Sequence, residues 1–411
     1  MVPKLERLLL KSGLHYGWYV VLAGLLCIFA GIGFGRFALG MLLPAMGETL
    51  GLSYAQMGMI STFNFVGYLL AVVASGPLAA RVGTRRLIFW ALLLVGGSML
   101  LMSRAQHFYA ALGFYMLTGV GSGASNVPMM ALVSAWFVSS KRGRAAGFIV
   151  IGSGFAILMA GRLVPLINER VGAQGWRLSW LALGVMVLAV ALVCRAVLRD
   201  RPAELGLQPV GSQPAGPQAF PASPSVRKAD LLHLGAIYFL FGYTYVIYAT
   251  FLVTALIQER GFSEAAAGRL WSWVGLLSLL SGPVFGTLSD LAGRKTALVL
   301  VFAIQSLAYL LVALPLPTVF LYLSIGCYGV VAWSIPSIMA ALVGDYAGPQ
   351  HAGRVFGVIT FIFGWGQISG PAVAGYLAEK TAGFAGSFLM AAFLATVAAV
   401  LSGLLRKPAA A

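Results

Sequence analysis

Two of the 27 Lys and Arg residues stand inside long apolar runs. Arg36 lies in Gly33-Phe34-Gly35-Arg36-Phe37, and Arg162 follows Gly161 and precedes Pro165. A guanidinium stays charged at any accessible pH, and its planar fork matches a carboxylate through two parallel hydrogen bonds. Among hydrocarbon it costs several kcal/mol, roughly 3 on insertion scales, unless water or a partner meets it. Arg36 therefore reads as an anion-binding residue, and the competing account is snorkelling past Pro44 to the outer headgroups. For Arg162, binding and snorkelling weigh equally, with neutralisation of Glu169 or a place in an outer vestibule as further accounts. All eleven Asp and Glu fall in loops or at run ends, and none near a run centre. A cavity with arginine and no carboxylate favours an anion over a cation. It also offers no buried acid as a proton site, so exchange, uniport and symport all stay compatible. In symport the proton would ride on the substrate or on a histidine such as His233.

Polar and aromatic side chains near other run centres complete a candidate lining. Asn64, Asn126, Tyr243, Tyr248, Tyr328, Trp333 and Gln367 join Arg36 and Arg162 as expected substrate contacts, with Tyr245, Thr250 and Trp365 close by. Buried amides and phenols need partners, and a water-filled path supplies them. Interhelical hydrogen bonding uses the same residue types and is the competing account. Trp271 and Trp273 fall where an aromatic belt is expected, which best accounts for Trp271. No nucleophile–base constellation, metal-ligand cluster or phosphate loop appears, so neither an enzyme nor a cofactor or metal is expected. Cys27, Cys194 and Cys327 are far apart and read as small hydrophobes.

The elements that must carry these residues follow from composition. Of 411 residues, 60% are hydrophobic and 9% charged, too few charges to cover a soluble protein of this size. Lipid is the solvent that suits such a chain. Apolar runs near 17–46, 54–79, 86–103, 108–136, 145–168, 177–198, 230–257, 265–290, 295–314, 317–343, 353–378 and 383–404 give twelve expected transmembrane helices. The class is all-α membrane protein, in two six-helix bundles: 1–198, a cytoplasmic linker 199–229 holding six prolines, and 230–411. The first span is read as retained, with no separate signal peptide.

The net charge of +16 does not point to nucleic acid, because the basic residues cluster between spans. With a cytoplasmic N-terminus, 19 Lys and Arg lie on the inner side and six on the outer, from Arg104 to Lys380. That bias places both termini in the cytoplasm of a bacterial inner membrane. A lipid bilayer and a small anionic molecule are the expected partners, with a proton as one coupling option and a monomer as the expected state.

A shift of 210 residues superimposes landmarks of the two halves. Gly51-Leu52-Ser53 meets Gly261-Phe262-Ser263, Gly83 meets Gly293, and Arg144 and Gly147 meet Arg354 and Gly357. Basic residues keep the same register as glycines, which suggests a parallel repeat with a path between the halves. The segment 286–295, Gly-Thr-Leu-Ser-Asp-Leu-Ala-Gly-Arg-Lys, resembles the cytoplasmic loop signature of the major facilitator superfamily. Its first copy has Ala80 in place of the aspartate. Gly17-Trp18 with Arg36, Trp136-Phe137 with Lys141-Arg142, Gly175-Trp176-Arg177 and the 201–207 segment are similar to the monocarboxylate and oxalate–formate branches. That resemblance implies transport of small carboxylates. It departs at Gly282, where those branches carry a basic residue on helix 8. Asp290 is expected to pair with Arg142 or Arg144 as a cytoplasmic gate. Efflux of an amphipathic metabolite or drug is the alternative reading.

Overall fold

The computed structural model describes residues 13–211 and 227–406. Lys4, Arg7, Lys11, Lys407 and linker residues 212–226 lie outside the described residues. Among the described residues twelve long helices follow one another: α1 Gly17–Leu50, α2 Tyr54–Val82, α3 Thr84–Met102, α4 Phe108–Trp136, α5 Ser139–Val171 and α6 Gly175–Val197. After the linker come α7 Lys228–Gln258, α8 Glu264–Ala292, α9 Arg294–Ala313, α10 Thr318–Gly348, α11 His351–Thr381 and α12 Ala385–Gly403. Ten stretches of the described residues are long and apolar enough to cross a membrane, one of which, Lys141–Val197, holds both α5 and α6. α4 has the length, 29 residues, but carries Thr118, Ser122, Ser125 and Asn126.

Boundaries are written in local chemistry. Ser53 and Gln56 form a reciprocal cap at the start of α2, with Gln56 N–H donating to Ser53 Oγ at 3.3 Å and Ser53 N–H to Gln56 Oε1 at 3.0 Å. Gly83 and Gly293, at φ 87° and 90°, turn the chain into α3 and α9. Only glycine adopts that backbone without strain. α2 and α8 are related by the 210-residue shift at both ends, so the repeat seen in sequence is a repeat of structure. α10 and α11 part at Gly348, φ 65°, immediately before Pro349.

The chain forms two compact units, one of Met1–Leu50 and Phe63–Ala215, the other of Gly51–Thr62 and Gly216–Ala411. In the first, the linker's opening stretch is part of the packed body. Val210 N–H donates to the Trp136 carbonyl at 2.8 Å, the Trp136 indole donates to the Arg199 carbonyl at 2.9 Å, and a short 3-10 helix spans Pro202–Leu205. In the second unit, α7 and α11 touch backbone to backbone. A Cβ at Gly366 would fall on the Phe239 carbonyl, and one at Gly370 on that of Tyr243. Small residues allow this in lipid, where dispersion and not the hydrophobic effect holds helices together.

Candidate functional site

α1 is not a uniform α-helix. Phe29–Phe37 is wound as a π-helix, and Arg36 stands in its last turn. A π segment widens the helix and occurs mostly at functional positions. Three glycines let this wider segment fit against its neighbours. A Cβ at Gly31 or Gly35 would press on the hydroxyl of Ser125 or Ser122, and one at Gly33 on Ala156. The carbonyls loosened by the π winding find acceptor roles elsewhere: Ser122 Oγ donates to Gly31 at 2.5 Å, and the Tyr115 hydroxyl donates to Arg36 at 3.0 Å.

The Arg36 guanidinium lies over two rings of α2, 4.6 Å from the centroid of Phe65 and 4.4 Å from that of Tyr68. Each ring presents its negative face to the cation, worth ~0.5–2 kcal/mol depending on solvation. The Asn126 amide donates to the Tyr68 hydroxyl at 2.8 Å, so Asn126 reaches the arginine through the tyrosine. Arg36, Tyr68 and Asn126 are half-buried and Phe65 is buried. Tyr68 and Phe65 were not among the residues expected from sequence. Their signal was the i, i+3 spacing of two aromatics beside Asn64 on α2. Asn64 itself is a strut: its amide donates to the carbonyls of Gly35 at 3.2 Å and Tyr115 at 3.0 Å, locking α2 to α1 and α4. The same strut excludes any side chain at position 119, where a Cβ would fall on the Asn64 carbonyl.

Arg162 is exposed on α5 and has no ion-pair or hydrogen-bond partner among the described residues, Glu169 included. It borders an open groove of about 470 Å³ lined by Leu25, Leu26 and Phe29 of α1 and Phe155, Leu158 and Met159 of α5. Phe29 begins the π-helical segment that ends beside Arg36.

The expected contacts of the second unit turn inward. Tyr248 and Tyr328 are fully buried and stacked at 4.1 Å, with Tyr248 bonded to Ser324 at 2.9 Å and Tyr328 donating to the Tyr245 carbonyl at 3.3 Å. Gln367 is buried and donates to the Tyr245 hydroxyl. Tyr243 is buried and contacts the Met390 sulfur at 3.6 Å. Trp333, half-buried where α10 is interrupted between Val331 and Ser334, meets Tyr245 edge to face. These five thus lie in an aromatic cluster in which Tyr245 takes bonds from Tyr328 and Gln367 and Ser324 pairs with Tyr248, the arrangement that the interhelical account describes. His233 likewise spends a ring nitrogen on the Leu401 carbonyl at 2.9 Å. Trp271 is buried, whereas Trp273 is exposed, so the outward-facing ring is Trp273.

The residues of the expected gate pair each have partners within their own unit. Asp290 pairs with Arg294, one turn on, and Arg294 also binds Asp345 at 3.0 Å and Ser289 at 2.8 Å. Arg142 donates to the carbonyls of Phe137 and Ser134, and Arg144 lies over the rings of Trp18 and Phe148. Proximity on one helical turn supplies Asp290 with a nearer partner than sequence reasoning considered.

The chain is similar to the hexuronate transporter of Bacillus subtilis (strain 168), 25% identical over 395 residues that make up 89% of each chain. It is 25% identical over 332 residues to monocarboxylate transporter 12 of Rattus norvegicus, covering 72% of this chain and 66% of that one. The crystal structure of a bacterial homolog to the human lysosomal transporter Spinster, inward-facing and unoccupied, shares the fold, with a TM-score of 0.73 and 16% identity over 95% of this chain and 96% of that one. The family described as "Uncharacterised MFS-type transporter YbfB" matches residues 28–406. With a multi-pass helical fold, its superfamily loop signature and that match, the chain belongs to this family of major facilitator transporters.

Proposed function

We propose that this chain is a secondary transporter of small organic anions, working by alternating access in the bacterial inner membrane as a monomer with both termini cytoplasmic. The observation that carries the reading is Arg36, held by a π-helical turn between Phe65 and Tyr68 in the middle of an apolar helix. Every acidic residue of the described chain lies at a helix end or in a loop, so the field around Arg36 is positive. A carboxylate would meet the edge of the guanidinium while the rings hold its face. Two relatives named for hexuronate and monocarboxylate support an acidic substrate. Its arrival and departure need no chemical step, and no nucleophile–base arrangement surrounds Arg36.

The test is uptake of labelled acetate, benzoate, galacturonate and tartrate into proteoliposomes, wild type beside Arg36→Ala. Saturable uptake of at least one acid, lowered about tenfold or more in the variant, is the expected result, since a charge-assisted pair contributes ~1.5–3 kcal/mol. Equal uptake by both proteins would remove Arg36 from the site. Extrusion of a cationic dye with no acid carried would favour efflux of an amphipathic compound instead.

A further inference from the structure

The groove between α1 and α5 is chemically one-sided. Its six lining side chains are all hydrocarbon or thioether, and the one charge beside it is Arg162, exposed and without a partner among the described residues. We infer that the substrate is a monoanionic carboxylate with an apolar body of aromatic size, and that before it reaches Arg36 its body lies in this groove with its carboxylate on Arg162. The inference deepens the transport reading above and rests on it.

Three observations support this occupant. The groove holds about 470 Å³, and a cavity of roughly 150 Å³ already accepts a benzene ring, so a substituted ring fits with room to spare. The lining has no hydroxyl or amide, so each hydroxyl of a sugar acid would leave water and find no partner, whereas an apolar ring loses nothing. Arg162 stands six residues before the outer end of the 145–168 run, roughly 9 Å along the helix, which favours a small anion that can travel inward over a headgroup that cannot. Phe29 ties the groove to Arg36, since it begins the π-helical segment of α1 in whose last turn Arg36 stands.

The experiment uses the full-length protein in phosphatidylcholine vesicles, with and without phosphatidylglycerol, and compares benzoate with galacturonate. Wild type should half-saturate with benzoate at a concentration at least about tenfold below that for galacturonate. Arg162→Gln should raise the benzoate value about tenfold. Arg162→Lys should recover part of it, and Leu158→Asn should weaken benzoate while leaving galacturonate unchanged. A preference for galacturonate, or an Arg162→Gln protein that handles benzoate like wild type, overturns the inference and leaves an anion transporter standing. A defect of Arg162→Gln seen only with phosphatidylglycerol present would assign the groove to a lipid and overturn it as well. No uptake of either acid would remove the transport reading and this inference with it.

Discussion

At the scale of residues, the arginine of the first unit and the aromatics of the second answer different questions. Arg36 is half-exposed and cushioned by rings, so its replacement should act on substrate and not on stability. Arg36→Lys keeps the charge but loses the planar fork and much of the ring contact. It should retain uptake at about a tenth of wild type or less, with apparent melting temperature nearly unchanged; full activity would show that a point charge suffices. Tyr68→Phe isolates the hydroxyl that accepts from Asn126. Because the ring under the guanidinium survives, half-saturation should change by about threefold or less, near the worth of one neutral hydrogen bond. Tyr248→Phe, in contrast, removes a bond to Ser324 in a closed core and should lower the melting temperature without altering substrate selectivity. The Arg294 cluster is a surface feature, with Asp290 67% exposed, so Asp290→Asn should cost at most about 1 kcal/mol of stability.

At the scale of elements, close packing and end chemistry decide what can change. Gly119 lets α4 lie against α2, where a Cβ would fall on the Asn64 carbonyl. Gly119→Ala must push the two helices apart and should destabilise the detergent-solubilised protein by about 1–3 kcal/mol, seen as a lower melting temperature. Gly97 has open space around it, and Gly97→Ala serves as the control that should melt like wild type. Glu259, just past α7, accepts from the Phe384 N–H at 2.6 Å and so caps the start of α12. Partial burial holds its carboxyl above the ordinary carboxylate range, opposed by that bond and by Arg260. A raised value in the folded state means that folding takes up the proton. The associated stabilisation is complete below the ordinary carboxylate range and is lost as pH rises through the raised value. Glu259→Gln keeps an acceptor without the charge. Its melting curve should coincide with wild type in acid and rise above it towards neutral pH. A constant separation at all pH values would assign the effect to packing.

At the scale of the whole molecule, the inner excess of basic residues makes a topological prediction. In a background with Cys27, Cys194 and Cys327 replaced, Ala265→Cys should react with an impermeant maleimide added to intact cells, and Ala203→Cys only after the membrane is opened. The reverse pattern would invert the orientation. Much of this architecture was legible in the chain itself. Run length, the Gly-rich turns and the 210-residue register are local or periodic properties, so the helices fell within a few residues of the expected spans, and α2 and α8 kept the repeat at both ends. The lone charges Arg36 and Arg162 were visible too, because a charge in an apolar run stands out without any partner being known. What sequence could not supply was which polar side chains meet each other. Tyr248, Tyr328, Gln367 and Asn64 looked like cavity contacts, yet packing gave Tyr248 to the Ser324 hydroxyl, Gln367 to that of Tyr245, and Tyr328 and Asn64 to backbone carbonyls. Phe65 and Tyr68 looked like ordinary aromatics until the π turn of α1 carried Arg36 over their faces. Periodicity assigns a residue to a helix, but the direction in which a side chain finds its partner depends on neighbouring helices distant in sequence. Tertiary packing alone decides that.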